Sequence, residues 1–287
     1  MSQLRGRYVL TLSCPDVTGV VHAVSAFLAG VGCNIVDSAQ FGDSTTQRFF
    51  MRVSFDVVEG VQDIDSLTGG FRPLANRFGM AWDLHDSTVR PRVLLMVSRF
   101  GHCLNDLLYR HSIGALAMEI PAIVSNHNDY ARLAASYDIP YHHWPVTADT
   151  KAEQEARLLD LVDSERVDLV VLARYMQVLS PAVCQRMHGK VINIHHSCLP
   201  SFKGARPYQQ AHERGVKLIG ATAHYVTADL DEGPIIEQEV ERVDHAMTPA
   251  DLTAVGRDVE SVVLARAVQS HIDRRVLLNG SRTVVFR

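Results

Sequence analysis

Apolar and polar positions fall into two different rhythms along the chain, and the change comes near residue 90. In the first stretch, residues 8–14 (Tyr-Val-Leu-Thr-Leu-Ser-Cys) read as a strand, and Val20, Val24, Phe27 and Val31 recur at helical spacing. A helix is therefore expected over 17–30, with Asp16 as its cap and Gly30 and Gly32 at its end. A second strand follows at 33–41, and Phe49, Met51, Val53, Phe55 and Val57 lie two apart, the period of a half-buried strand. A helix over 61–78 and a short strand around Trp82 and Leu84 complete the order β-α-β-β-α-β, a ferredoxin-like arrangement.

Asp86-Ser87-Thr88-Val89-Arg90-Pro91 is polar and ends in proline, which suits a linker at 87–91 between a domain of residues 1–86 and one of 92–287. Beyond it Val93 to Ser98 is an unbroken apolar strand, the mark of a parallel sheet covered on both faces. Helices at 103–111, 129–136, 151–165 and 181–186 then alternate with strands at 116–124, 141–144, 168–173 and 191–195. Such alternation predicts an open, mainly parallel, Rossmann-like α/β sheet that binds ligands beyond the carboxyl ends of its strands. A helix over 205–213, strands at 219–226 and 235–242, a helix opened by Thr248-Pro249-Ala250-Asp251 and running to 272, and a hairpin turning at Asn279-Gly280 close the chain.

Composition narrows this picture. Nearly half of the 287 residues are apolar, enough for a packed core. The formal charge of −4 argues against a nucleic-acid or anionic-membrane partner held by bulk electrostatics. No apolar run approaches the ~20 residues of a membrane span, and the first residues lack the apolar stretch of a signal peptide. The five cysteines form no C-x-x-C pair, so a zinc site or disulfide framework is not expected and a reducing cytoplasm fits.

The candidate chemistry is concentrated where strand 191–195 breaks into a loop. Asn193 and His195 are two apart, so both project to one face. An amide N–H and an imidazole N–H aimed at one point would hold a developing oxyanion. Two polar residues satisfied at a strand end would look the same. His224 ends another strand, and Asp231 lies in the acidic loop that follows. An amide, an imidazole and a carboxylate without a nucleophilic side chain suit direct transfer of an acyl group from a carrier to an acceptor. Asp231 would take a proton from the attacking group or order a water.

Two segments carry a resemblance. Asn193-Ile194-His195-x-Ser197-x-Leu199-Pro200, followed by His224-x-Val226-x-x-x-Leu230-Asp231-x-Gly233-Pro234, resembles the formyltransferase family that uses 10-formyltetrahydrofolate, over residues 90–280. The resemblance implies Asn193, His195 and Asp231 as the catalytic set, with His224 orienting Asp231 or a water. It also implies a pterin clasped by the segment Arg174, Tyr175, Met176, Gln177, Val178 and Leu179 and faced by Thr227, Ala228, Asp229 and Leu230. Lys203 and Arg206 are candidates for a folate glutamate tail, or for plain surface charge. The first domain resembles an ACT module through Asp16-Val17-Thr18-Gly19-Val20-Val21, which implies a homo-oligomer, a dimer or tetramer, and either an amino-acid effector near Asp16 and Gly19 or a pairing scaffold in which this stretch is only a tight strand–helix turn.

The acceptor separates members of the formyltransferase family. Ser98-Arg99-Phe100-Gly101-His102-Cys103 has a single glycine, and Phe100 and His102 would crowd a phosphate cradle, although Arg99 could still pair an anion. Water as acceptor then remains, and the stretch from Ser98 to Leu108 with His195-His196 is similar to the hydrolytic branch of the family. The expectation is a hydrolase that releases formate, feeding purine synthesis and balancing the one-carbon pool. The alternatives are transfer to an amine, or an amino-acid sensor with an inactive second domain. No cofactor is expected besides the folate substrate. No metal is expected either, since adjacent histidines such as His142-His143 or His195-His196 on a strand face opposite ways. Cys103 reads as a small packed residue.

Overall fold

The computed structural model describes residues 6–58, 63–197, 199 and 207–287, and these divide into two compact units. The first consists of Met1–Arg90 with Asp273–Asn279 and Val284–Arg287; the second of Pro91–Ile272 with Gly280–Thr283. Where 92–287 is expected as one domain, the segments Asp273–Asn279 and Val284–Arg287 group with the first unit and Gly280–Thr283 with the second. In the first unit Asn279 donates from its amide to the buried Asp43 carboxylate at 2.7 Å, a polar tie that secures its segment.

The first unit runs β1 (Arg7–Pro15), α1 (Val20–Gly30), β2 (Cys33–Asp43), β3 (Arg48–Val57), α2 (Ile64–Phe78) and β4 (Ala81–Asp86). Its four strands form an antiparallel sheet in the order β2-β3-β1-β4. Leu10, Leu12, Met51, Val53 and Phe55 pack against Val24, Leu28, Leu67 and Phe71 of the two helices. The start of α1 differs from the sequence expectation. Gly19, not Asp16, precedes the helix, with φ 93° and no side-chain cap. Asp16 instead lies against Gly42, where a Cβ would stand 2.8 Å from its Oδ2.

The second unit continues with β5 (Val93–Val97), α3 (His102–Ser112), β6 (Ile123–Ser125), α4 (Ala131–Ser136), β7 (Tyr141–His143), α5 (Lys151–Ser164), β8 (Leu169–Leu172), α6 (Pro181–Arg186), β9 (Val191–His195), α7 (Pro207–Glu213), β10 (Leu218–Tyr225), β11 (Ile235–Arg242) and α8 (Pro249–Ile272). A terminal hairpin pairs β12 (Val276–Asn279) with β13 (Arg282–Val285). The sheet order is β11-β10-β9-β8-β5-β6-β7. The strands from β9 to β7 are parallel, whereas β10 pairs antiparallel with both β9 and β11. All five residues of β5 are buried, as a strand covered on both faces requires. Leu94, Met96, Val124, Val170, Leu172 and Val191 share a core with Leu158 and Val162 of α5 and Val183 and Cys184 of α6. No described helix is long and apolar enough to cross a membrane.

The expected strand 116–124 shrinks to Ile123–Ser125, preceded by one isolated bridge between Arg92 and Glu119. Leu116, Met118 and Ile120 are buried two apart, but Pro121 has no N–H to extend a ladder through this stretch.

At the head of α8, Thr248 and Asp251 bond reciprocally. The Thr248 N–H donates to Asp251 Oδ2 at 2.8 Å and the Asp251 N–H donates to Thr248 Oγ1 at 3.2 Å. This capping box, with Pro249 as the first helical residue, starts a helix of 24 residues that packs on α3, α7 and β9 to β11.

Candidate active site

β9 lies where the sheet changes from parallel to antiparallel, with β8 on one side and β10 on the other. The register sets Asn193 directly opposite His224 and His195 opposite Thr222, so the four side chains share one face. A register irregularity between Ala223 and His224, on the β11 side, adjusts the strand just before its end. The loop after β10 then folds back tightly. A Cβ at Gly233 would stand 1.7 Å from the Tyr225 carbonyl oxygen, so only glycine permits this path. Asp231, in the left-handed region with φ 57°, is thereby carried back over the end of β9.

The polar groups meet closely. Asp231 Oδ2 is 3.2 Å from His195 Nδ1, and its Oδ1 is 3.6 Å from His224 Nε2. The second distance is an electrostatic contact; Asn193 Nδ2, at 3.3 Å, is the nearer partner of His224 Nε2. His224 Nδ1 donates to the Tyr225 carbonyl at 2.9 Å, which anchors a ring that is 2 % exposed. The N–H of His195, then the contact with His224, hold the Asp231 carboxyl well below the usual carboxylate range and outweigh its partial burial. An ionised Asp231 only accepts, so His195 carries hydrogen on Nδ1. His195 Nε2 is buried and has no hydrogen-bond partner among the described residues.

These groups line a cavity of about 510 Å³, together with the segment 174–179 and the loop 227–232. Three of its apolar lining residues, Met176 and Val178 in the segment and Leu230 in the loop, are more than half exposed. The wall at 174–176 is tied to the sheet through Ser98, whose N–H donates to the Arg174 carbonyl at 3.1 Å and whose Oγ accepts from the Met176 N–H at 2.9 Å. Tyr175 turns inward to the core beside α5, and burial pushes its hydroxyl up to about 12, so it stays neutral. Arg174, Tyr175, Met176, Gln177, Val178, Leu179, Thr227, Ala228, Asp229 and Leu230 all border the one cavity that holds Asn193, His195, His224 and Asp231. Asp16 and Gly19 belong to the other unit. Lys203 and Arg206 lie outside the described residues.

His196 departs from the expectation that adjacent histidines diverge. β9 ends at His195, and beyond it the backbone no longer alternates, so the two rings stack with centroids 4.7 Å apart and 22° between planes. Arg174 Nη1 donates to His196 Nδ1 at 3.1 Å. Burial, first, and the Arg174 charge, second, lower the His196 ring to about 4, so it is neutral at neutral pH. The folded-state value lies below the unfolded one, so this stabilisation is present above about pH 6.5 and is lost as pH falls toward 4. Urea unfolding is expected to lose about 2 kcal/mol from this group between pH 7 and pH 5. His196→Asn should show a correspondingly shallower pH dependence; an unchanged slope rejects the assignment. Asp231 acts in a separate, more acidic window, because its depressed carboxyl is protonated only below the ordinary carboxylate range.

Sequence reasoning left Glu260, Tyr208 and the task of His102 unassigned. Glu260 is 1 % exposed, with Oε2 at 2.8 Å from His102 Nε2, Oε1 at 2.6 Å from the Tyr208 hydroxyl, and Arg174 Nε at 3.3 Å. The signal was present: an acidic residue among the apolar positions of the last helix, one turn after a glycine.

Comparison with known proteins follows the same division of the chain. The formyl transferase family matches residues 91–268. The formyltetrahydrofolate deformylase of Corynebacterium sp. is 50% identical over 281 residues, covering 98% of both chains. The crystal structure of the formyltetrahydrofolate deformylase from Burkholderia mallei, 56% identical, superposes with a TM-score of 0.95 over 98% of this chain and 100% of that one. A glycinamide ribonucleotide transformylase from Symbiobacterium toebii is 28% identical with a TM-score of 0.66, and covers 71% of this chain and 98% of its own.

Proposed function

The chain belongs to the formyl transferase family, with formyltetrahydrofolate deformylases as its full-length relatives, and from this we infer that it hydrolyses 10-formyltetrahydrofolate to formate and tetrahydrofolate. The observation that carries the mechanism is the state of His195: Nδ1 pinned by Asp231, Nε2 buried, without a partner among the described residues, and at the cavity wall. In its protonated form the ring donates from Nε2 to the formyl oxygen, and Asn193 donates from its amide beside it. A water ordered by Asp231 attacks the formyl carbon. Asp231 is a weak base in the resting site, but the attacking water becomes a strong acid once its oxygen bonds to carbon, and a weak carboxylate base then suffices. As the tetrahedral carbon collapses, the C–N bond breaks, and His195 gives its Nε2 proton to the leaving nitrogen. Asp231 then gives up the proton it took, His195 regains one at Nε2 by exchange with solvent, and the formic acid formed ionises, so over the cycle water supplies the new formate oxygen and, through that exchange, the amine hydrogen.

The pterin is read as lying between the apolar lips at Met176, Val178 and Leu230, with its edge on the 174–179 and 227–230 backbones. No cofactor enters this scheme. The first unit is read as an ACT-like module that pairs copies of the chain and takes an amino acid near Asp16 and Gly19. Its βαββαβ order and the exposed Val36 and Phe41 of the edge strand β2 support this. Sedimentation of the full chain as a dimer or tetramer is expected; a monomer sinks the assembly role. The four described cysteines are free, in keeping with a reducing cytoplasm, where the formate would serve purine synthesis.

The deciding experiment incubates purified protein with 10-formyltetrahydrofolate alone. Formate release without an added amine is expected. Deformylation only when an amine is added would make the protein a transferase, and no reaction in either case would leave it a sensor.

A further inference from the structure

We propose that Glu260 is a positioning residue for this hydrolysis: through Arg174 it fixes the His196 tautomer and thereby the ring that stacks on His195. The inference rests on the deformylase reading and extends it to residues that do not touch substrate. Glu260, His102 and Tyr208 are not among the described residues that line the cavity, whereas Arg174, His195 and His196 are.

Glu260 is a carboxylate inside the fold, and such a group persists only when its oxygens are satisfied. Its partners come from three separate places: His102 at the start of α3, Tyr208 on α7 and Arg174 after β8. Burial raises the carboxyl, but the His102 hydrogen bond, the Arg174 charge and the Tyr208 hydroxyl together outweigh it and bring it below the ordinary range. The helix is shaped for this contact. Gly256 sits one turn before Glu260, and a Cβ there would stand 2.1 Å from the Tyr208 Oη. Glycine inside a helix is unfavourable relative to alanine. Here it lets the Tyr208 ring cross α8 and reach Glu260.

Arg174 is the link to the site. Its backbone is left-handed, with φ 65°, while its carbonyl accepts from the Ser98 N–H. Its Nε faces Glu260 Oε2 at 3.3 Å, an ion pair without hydrogen-bond alignment, and its Nη1 reaches His196 Nδ1 at 3.1 Å. A guanidinium only donates, so His196 Nδ1 is bare and its hydrogen is on Nε2. The neutral His196 ring then lies on His195 at 4.7 Å. Glu260 thus holds the guanidinium that orients one ring, and that ring supports the one that bears the proton. A ring nitrogen of His102, Cys103 Sγ and a Glu260 oxygen also lie within 4.8 Å of one another. Burial pushes the Cys103 thiol far up and keeps it protonated, and Arg174 already supplies the positive charge beside Glu260.

The test uses the full chain with ¹⁵N-labelled histidine, the His196 signals being assigned by their loss in His196→Asn. In the unaltered protein His196 should show the Nε2–H tautomer. In Glu260→Gln both tautomers should appear, kcat should fall at least ~10-fold, and KM should stay within about threefold. Arg174→Lys keeps a charge opposite Glu260 and so guards against a misfolded first variant. One ammonium lacks the planar fork that spans both partners, and the same tautomer mixture is expected. A single His196 tautomer in both variants overturns the proposal, as does a tautomer change without loss of kcat. If the unaltered protein releases no formate, the functional reading fails, while the tautomer comparison still decides the Glu260–His196 link.

Discussion

Asp231→Asn is expected to lower kcat for formate release at least ~100-fold, about 2.7 kcal/mol of transition-state stabilisation, with KM within about threefold. The substitution keeps shape and removes charge, which isolates what the carboxylate does. Asp231 accepts from His195 Nδ1 at 3.2 Å and faces His224 Nε2 at 3.6 Å, and both contacts hold it ionised. An asparagine at this place presents either a weaker neutral acceptor or an NH₂ group. The NH₂ would favour the tautomer with bare Nδ1, and neither form supports a protonated His195. In the proposed mechanism the same change removes the group that would order the attacking water and take its proton. The backbone conformation with φ 57° suits asparagine as well as aspartate, so thermal unfolding should stay close to that of the unaltered protein. Steady-state kinetics with formylated folate decide the matter. Turnover near that of the unaltered protein rejects Asp231 as a participant.

How Asp231 reaches His195 shows what a sequence can and cannot disclose. The strand at 191–195 follows from a β-branched run that breaks into a loop, a strand is expected at 219–226 with His224 near its end, and period-two alternation puts Asn193 and His195 on one face. Local pattern does not state that β10 joins β9 antiparallel in the register that opposes His224 to Asn193. That pairing is a choice among strand orders, settled by packing across the whole sheet. The return of the loop was marked in the sequence by Gly233, but the 1.7 Å that a Cβ would have to occupy exists only in three dimensions. The misread segments have the same origin. Leu116, Met118 and Ile120 alternate because they are buried, and burial alone does not make a ladder. Asp16 stood where a helix cap belongs, yet the helix starts after Gly19, whose left-handed backbone gives the turn another route. The task of Glu260 is not legible in the sequence, because one acidic residue on a helix reads as solvent-facing until a partner set is known.

His195→Ala is the complementary experiment, and a loss of at least ~100-fold in kcat is again expected. The atom that matters is Nε2. It is buried, it has no partner among the described residues, and it belongs to the wall of the cavity in which the formyl group is read as lying. A buried polar atom left without a partner is costly in a resting protein, on the order of 1–3 kcal/mol, and such a cost persists where substrate supplies the missing bond. In the proposed mechanism, removing the ring takes away the donor to the oxyanion and the proton for the leaving nitrogen together. KM should change little if pterin binding depends on the 174–179 and 227–230 segments. The substitution also leaves a void next to His196 and Asp231 within a cavity of about 510 Å³, large enough to admit a free imidazole. Added imidazole should therefore restore part of the lost turnover in His195→Ala. In Asp231→Asn it should restore none, since the ring is present there and its ionic partner is what is missing. Equal rescue of both variants, or of neither, would show that the ring and the carboxylate do not divide the work in this way.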